Sequence, residues 1–152
     1  MTPDRLFHIC SMLAVVGWIS LIIAGRIKVV STIVAPIIVP ALIGILYTVV
    51  IATHWHERTG GFRSLEDVHS LFQNSWLLLC GWVHYLAFDL FVGAWECRDA
   101  QSRRIPHLFV IPCLIVTFMF GPAGLLTYYA VRMGMSYRPS ERAFNMSSAI
   151  TQ

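Results

Sequence analysis

Asp89 is the only charged side chain inside four long apolar stretches of this 152-residue chain. A carboxylate within a membrane span costs several kcal/mol unless it is paired or hydrated, so its default reading is functional. His84 lies five residues earlier and can act as acid or base near neutrality. At about 100° per helical residue, Tyr85, Asp89, Gly93 and Glu96 fall on one stripe, and His84, Phe88, Phe91 and Trp95 on the stripe beside it. An acid-bearing edge next to an aromatic edge suits a long apolar ligand with a reactive polar end. The plainer reading makes Asp89 an ion pair or cap locking two helices, His84 a strut and the aromatic stripe packing. Asp89 is expected about seven residues from the helix end, roughly 10 Å, where hydration from that side is open. Glu96, Asp99 and His107 sit around the following connection, WECRDAQSRRIPH, which reads most simply as a solvated loop at headgroup level.

The remaining histidines offer less. His54 and His56, followed by Glu57, have metal-capable side chains, with His69 further on, but the spacing matches no zinc signature. Dense histidine boxes of the membrane di-iron type are absent, and His8 stands too near a helix end to pair with His84 around a haem. No P-loop, G-x-G-x-x-G or G-x-S-x-G is present. No cofactor or metal is called for.

The elements that must hold these residues follow from hydropathy and charge. The chain is 57% hydrophobic and 12% charged, with net charge +3, against about 25% charged in soluble domains. This excludes a disordered chain, a basic nucleic-acid-binding domain and a disulfide scaffold. Apart from Asp89, every charge falls in 1–5, 26–28, 54–74, 96–107 or 132–152. The intervening stretches are about as long as a ~30 Å hydrocarbon core requires, and backbone pairing in lipid favours helices. The fold predicted is an all-α integral membrane protein of one domain, 1–152, with four transmembrane helices in a bundle at about 7–24, 31–52, 75–96 and 108–131. Pro36 and Pro40 predict a kink or helix start in the second, and Gly121-Pro122 a bend in the fourth. Glycines 81, 93, 121 and 124 permit close helix approach. In 53–74, Ser64 and Asp67 resemble a capping box. Leu65, Val68, Leu71 and Phe72 then predict a short amphipathic interfacial helix, a potential lid.

Four crossings put both termini on one face, with Arg5, Arg58, Arg63, Arg132, Arg138 and Arg142 against Arg26, Lys28, Arg98, Arg103 and Arg104 on the other. That split is nearly even, with a lean to cytoplasmic termini. The first apolar stretch is longer than a signal h-region and no A-x-A-like site follows, so a bacterial-type inner-membrane protein is the simplest localisation. Cys10, Cys80, Cys97 and Cys113 form no C-x-x-C pair and read as small buried hydrophobes.

The runs GGFRSLEDVHSLF, GWVHYLAFDLFVGAWECRDA, IPHLFVIPC and TFMFGPAGLL, within about 61–132, resemble the neoxanthin synthase-like family, named for the plant abscisic-acid-deficient four protein, and its bacterial branch in particular. The shared positions are Trp82, His84, Asp89, Leu90, Phe91, His107, Pro122 and Gly124, while Trp95 and Glu96 match the bacterial pattern only. The resemblance implies carotenoid chemistry: an epoxide opens and a proton is lost, leaving an allene and a hydroxyl. Such a step needs an acid and a base and no redox cofactor. On this reading Asp89 and His107, with His84 and Glu96, form the catalytic set, a histidine as acid and Asp89 as base. Trp82, Tyr85, Phe88, Phe91, Trp95, Phe118 and Pro122 would contact a carotenoid or other apolar lipid. Most bacteria lack violaxanthin, so another carotenoid or terpenoid is open as substrate.

Three readings therefore stand side by side. One is a cofactor-independent isomerase or lyase acting on a carotenoid-like lipid. The second is a non-catalytic carotenoid-binding or assembly protein, and the third a metal-dependent oxygenase needing at least three of the metal-capable side chains together. A transporter would need oligomerisation to form a pathway, and a homo-oligomer is compatible with each.

Overall fold

The computed structural model describes residues 2–136, and every element among them is helical. Helix α1 covers Pro3–Ala24, α2 Val39–His54, α3 Leu65–Phe72, α4 Ser75–Ser102, α5 His107–Phe120 and α6 Pro122–Ser136. Three stretches are long and apolar enough to cross a membrane: Pro3–Ala24, Val30–Glu57 and Ser75–Ser102, with mean hydropathies of 2.3, 2.5 and 1.6. Their outer faces carry side chains such as Ile23, 78% exposed, and Met12, 65% exposed. Apolar surface on that scale suits lipid rather than water.

The two prolines act where the spacing placed them. Val30–Ile38 is wound as a wide π-type turn, and the Val39 N–H reaches back to the Val34 carbonyl. Pro36 lies inside that stretch and Pro40 opens α2. Missing donors at both positions remove ordinary helical bonds, which makes a looser winding cheap. Ser31 and Ala35 are fully buried on this stretch, and α4 packs closely there. Arg98 Nη1 donates to the Ser31 carbonyl at 2.6 Å, and Gln101 Nε2 to the Gly25 carbonyl at 2.7 Å.

Helix α4 is the axis of the bundle. It runs alongside α1, with Trp82 Nε1 donating to Ser11 Oγ at one end and Trp18 against Gly93 further on. It runs against α2, with Tyr47 beside His84 and His54 stacked on Trp76. It also extends further than the apolar pattern implies, to Ser102 rather than about residue 96. Ala94, Cys97 and Ala100 keep burying one face, and an Asp99–Arg103 pair at i,i+4, 2.9 Å apart, supports the last turn. Two expectations change as a result. Asp89 stands fourteen residues from Ser75 and thirteen from Ser102, in the middle of the helix rather than near its end. Glu96 is fully buried rather than part of a solvated loop.

The largest departure concerns the fourth apolar stretch. It is not one helix over 108–131. Gly121, at φ +42° and ψ −96°, ends α5 and turns the chain into α6. That backbone conformation favours glycine, and Pro122 then opens α6 with φ already suited to a first helical turn. The two helices fold back as a hairpin. His107 starts α5 beside Gly25, at the end of the bundle where α4 finishes. Gly121 reaches Asp89 at mid-helix. α6 then returns, so that Tyr128 Oη donates to Asp99 Oδ2 at 2.7 Å and Arg132 Nη1 lies 3.5 Å from the same oxygen. Tyr128 is fully buried, so Tyr128→Phe is expected to cost about 1.5–3 kcal/mol, the range for a hydrogen bond to a charged group, measured by reversible unfolding in detergent.

Helix α3 forms where its capping signal predicts. Ser64 Oγ accepts from the Asp67 N–H at 3.1 Å. Leu71 is buried, but Leu65 is 86% exposed. The loop before it folds onto α3 through Thr59 and Gly61, which donate to the Ser70 and Asp67 carbonyls. Arg138 and Arg142, counted above for the basic balance, lie outside the described residues.

Candidate functional site

The stripe of Tyr85, Asp89, Gly93 and Glu96 faces the α5–α6 hairpin. Tyr85 Oη donates to the Phe118 carbonyl at 2.7 Å, satisfying an acceptor in the last turn of α5 that has no partner within its own helix. One turn on, a Cβ placed on Gly121 would stand 3.0 Å from both Asp89 oxygens, so a side chain at 121 would press on the carboxylate. Gly93 gives room for Trp18 and Leu114. Glu96 Oε1 then accepts from Thr117 Oγ1 at 2.9 Å. Two carboxyl groups, seven residues apart on one face of α4, thus lie under the same hairpin.

Both are incompletely satisfied. Asp89 Oδ2 and Glu96 Oε2 are inaccessible to water and have no hydrogen-bond partner among the described residues. Burying one polar atom unpaired costs on the order of 1–3 kcal/mol, more when charged. Each unpaired buried polar atom calls for an explanation, and ionisable groups within a membrane-length apolar helix are functional candidates by default. Thr117→Val would strip Glu96 of its single donor. The expected cost is about 1–3 kcal/mol in detergent unfolding, with Thr117→Ser close to the parent.

A groove of about 500 Å³ adjoins this face, lined by Ser11, Val15, Trp82, Tyr85, Leu86, Phe118 and Met119. Trp82, Tyr85 and Phe118, three of the side chains expected to contact an apolar ligand, converge there. The others are elsewhere. Phe88 is 60% exposed and stacks on His84 at 4.4 Å, and Phe91 faces outward near Arg98. Trp95 packs edge-on against Tyr128 at 5.6 Å, and Pro122 is exposed at the start of α6.

The two histidines of the expected catalytic set are not brought to Asp89. His84 lines a separate cavity of about 750 Å³ between α2, α3 and α4, with Tyr47, Trp55, Phe62, Phe72 and Cys80. His107 is fourteen residues before Gly121 along α5, about 21 Å at 1.5 Å per residue. Its Nε2 lies 3.0 Å from the Ile22 carbonyl, which can only accept, so Nε2 carries the proton. The hairpin therefore lies over Asp89 and Glu96, while His107 stands at the other end of α5. Thr117 and the Asp99–Tyr128 contact were missed from sequence. Thr117 had one signal, as the lone hydroxyl in the apolar run 107–120. Asp99 is grouped by sequence with the loop after Glu96, and its contact with Tyr128 depends on the chain doubling back at Gly121 rather than only bending there.

His54, His56 and His69 do not converge either. His54 stacks on Trp76 at 4.2 Å, His56 lies 3.7 Å from Glu57 at the surface, and His69 is near Gln73. Among the described residues, no three His, Cys, Asp or Glu side chains stand close enough to share a metal ion.

A family model described as ABA DEFICIENT 4-like matches residues 5–128. The chain belongs to the ABA4-like family. The match runs from the first turns of α1 to Tyr128, so it includes both carboxylates, the Gly121 turn and the return of α6 as far as Asp99's partner. No curated protein and no solved structure matches this ABA4-like chain.

Proposed function

We propose that this ABA4-like protein is an intramembrane enzyme that rearranges a carotenoid- or terpenoid-class lipid by proton transfer, with Asp89 and Glu96 as the acid–base pair. The observation that carries this reading is the unpartnered oxygen on each carboxylate, buried beneath one hairpin. The likeness to neoxanthin synthase supplies the reaction type. One carboxylic acid gives its proton to an epoxide oxygen as the C–O bond breaks. The other carboxylate takes the proton from carbon, leaving an allene and a hydroxyl. Mass is conserved and no electrons enter or leave, so the step needs no cofactor. The Trp82–Tyr85–Phe118 groove would hold the adjacent part of the chain.

The membrane arrangement belongs to the same proposal. Three spans cross, α5 and α6 re-enter from the end where α4 finishes, and α3 lies at the interface. The N-terminus and the end of α6 are then on opposite sides. Arg26, Lys28, Arg98, Arg103, Arg104 and Arg132 fall on one side against Arg5, Arg58 and Arg63 on the other. That asymmetry makes the α6 side cytoplasmic, replacing the near-even balance that four crossings give. A bacterial inner membrane is the setting we favour, and the outward Phe88 and Phe91 suit lipid or a second copy. A second reading, a carotenoid-binding protein without chemistry, draws support from the 750 Å³ cavity and the Trp82–Tyr85–Phe118 groove, neither of which is lined by a carboxylate among the described residues.

Expression in a violaxanthin-producing host separates the two. A new allenic isomer of unchanged mass supports the isomerase. An unchanged pigment profile with the protein present in the membrane overturns violaxanthin as substrate.

A further inference from the structure

Away from the carboxylates, at the end of the bundle where α4 finishes, a second polar cavity of about 380 Å³ opens between Arg26, Arg104, His107, Gln101 and Cys97. We infer that it is a binding site for a phosphate-type oxyanion, either a free ion or a lipid headgroup.

The basic groups come from three separate elements: Arg26 from the turn after α1, Arg104 from the turn after α4, and His107 from the first residue of α5. Among the described residues no carboxylate lines the cavity. The nearby acids are committed elsewhere, Asp99 to Arg103, Tyr128 and Arg132, and Glu96 to Thr117. Among the described residues neither Arg26 nor Arg104 forms an ion pair. Two arginines line one cavity and neither has a carboxylate partner among the described residues, and each guanidinium is a planar fork of donors suited to an oxyanion.

Arg104 carries the inference furthest. It is the only non-glycine described residue with positive φ, at 57°. The Ile105 N–H bonds the Ala100 carbonyl and the Arg104 N–H the Gln101 carbonyl, a helix ending whose left-handed position glycine fills best. An arginine held there against backbone preference points to a use for its side chain. α5 also begins at the cavity with no side chain capping it, leaving first-turn N–H groups available to an anion. His107 is held by its Nε2–H bond to the Ile22 carbonyl, so the side-chain donors offered to an anion are the two arginines. The volume suits a headgroup or a free ion, and its position agrees with basic pockets at cytoplasmic membrane faces.

The test uses the full chain, purified in a non-phospholipid detergent and in nanodiscs, with melting temperature as readout. Inorganic phosphate is titrated against chloride at equal ionic strength. Phosphatidylglycerol nanodiscs are compared with phosphatidylcholine ones. Arg26→Gln and Arg104→Gly are measured alongside. Arg104→Gly satisfies the backbone better than the parent, so its unliganded melting temperature is expected at or above the parent's. A saturable rise with phosphate, weakened about tenfold or more in both variants, assigns the site to a free oxyanion. A rise confined to phosphatidylglycerol and lost in both variants assigns it to a lipid headgroup. No rise with either probe, or a rise that both variants retain, overturns the inference.

Discussion

Asp89→Asn is expected to lower the yield of the mass-neutral product by about 10²–10⁴-fold, the range for losing a positioned acid or base, while the protein still accumulates in the membrane. The substitution keeps the size of the side chain beside Gly121 and removes only the titratable oxygen. If Asp89 merely pinned the hairpin, the variant would instead unfold more readily. Since Asp89 Oδ2 has no partner to lose, the variant should be at least as stable as the parent. Product yield by mass and absorbance, read beside unfolding in detergent, distinguishes these. Unchanged yield at unchanged expression would remove Asp89 from the chemistry.

Gly124→Ala is expected to have the largest structural effect of any methyl added to the bundle. A Cβ at 124 falls on the backbone nitrogen and Cα of Thr117 as well as its Oγ1. Backbone cannot rotate aside, so the two arms of the hairpin must separate. That draws Thr117 from Glu96 and Gly121 from Asp89. A cost of about 3 kcal/mol or more follows, the upper part of the overpacking range. Gly44→Ala is the control. Nothing lies within 4 Å of its added Cβ, and alanine there should be neutral or stabilising by up to about 1 kcal/mol through helix propensity. Equal stability for the Gly124 and Gly44 variants would contradict the hairpin.

The sequence made the helical class legible because each apolar stretch is bounded by charge, and it made the α4 stripe legible because helical spacing alone puts Tyr85, Asp89, Gly93 and Glu96 on one side. The proline-loosened start of the second span and the Ser64 cap followed from local chemistry. The path of 108–131 was not legible. Gly-Pro announces a break, but only tertiary contacts decide whether a chain bends onward or doubles back. Here Tyr128 and Arg132 find Asp99, and that contact needs α4 to continue past residue 96. Both misreadings share a cause: charge after Glu96 looked like the end of a helix. In fact Asp99 and Arg103 pair along the helix and Glu96 turns inward to Thr117. The resemblance groups His107 with Asp89, and the spacing could not show how far apart they stand, since His107 begins α5 and Gly121, beside Asp89, ends it.

The α5–α6 hairpin covers Asp89 and Glu96, and the proposal that it re-enters the membrane is tested most directly by the sidedness of two introduced thiols. The native cysteines are buried, so a membrane-impermeant maleimide applied to intact cells should report only added sites. Arg5→Cys lies near the start of α1, and a Cβ at Gly134 on α6 meets nothing within 4 Å among the described residues. With re-entry, labelling at 5 and protection at 134 until the cells are opened are expected. Labelling of both positions from the same side, as four crossings require, would contradict it.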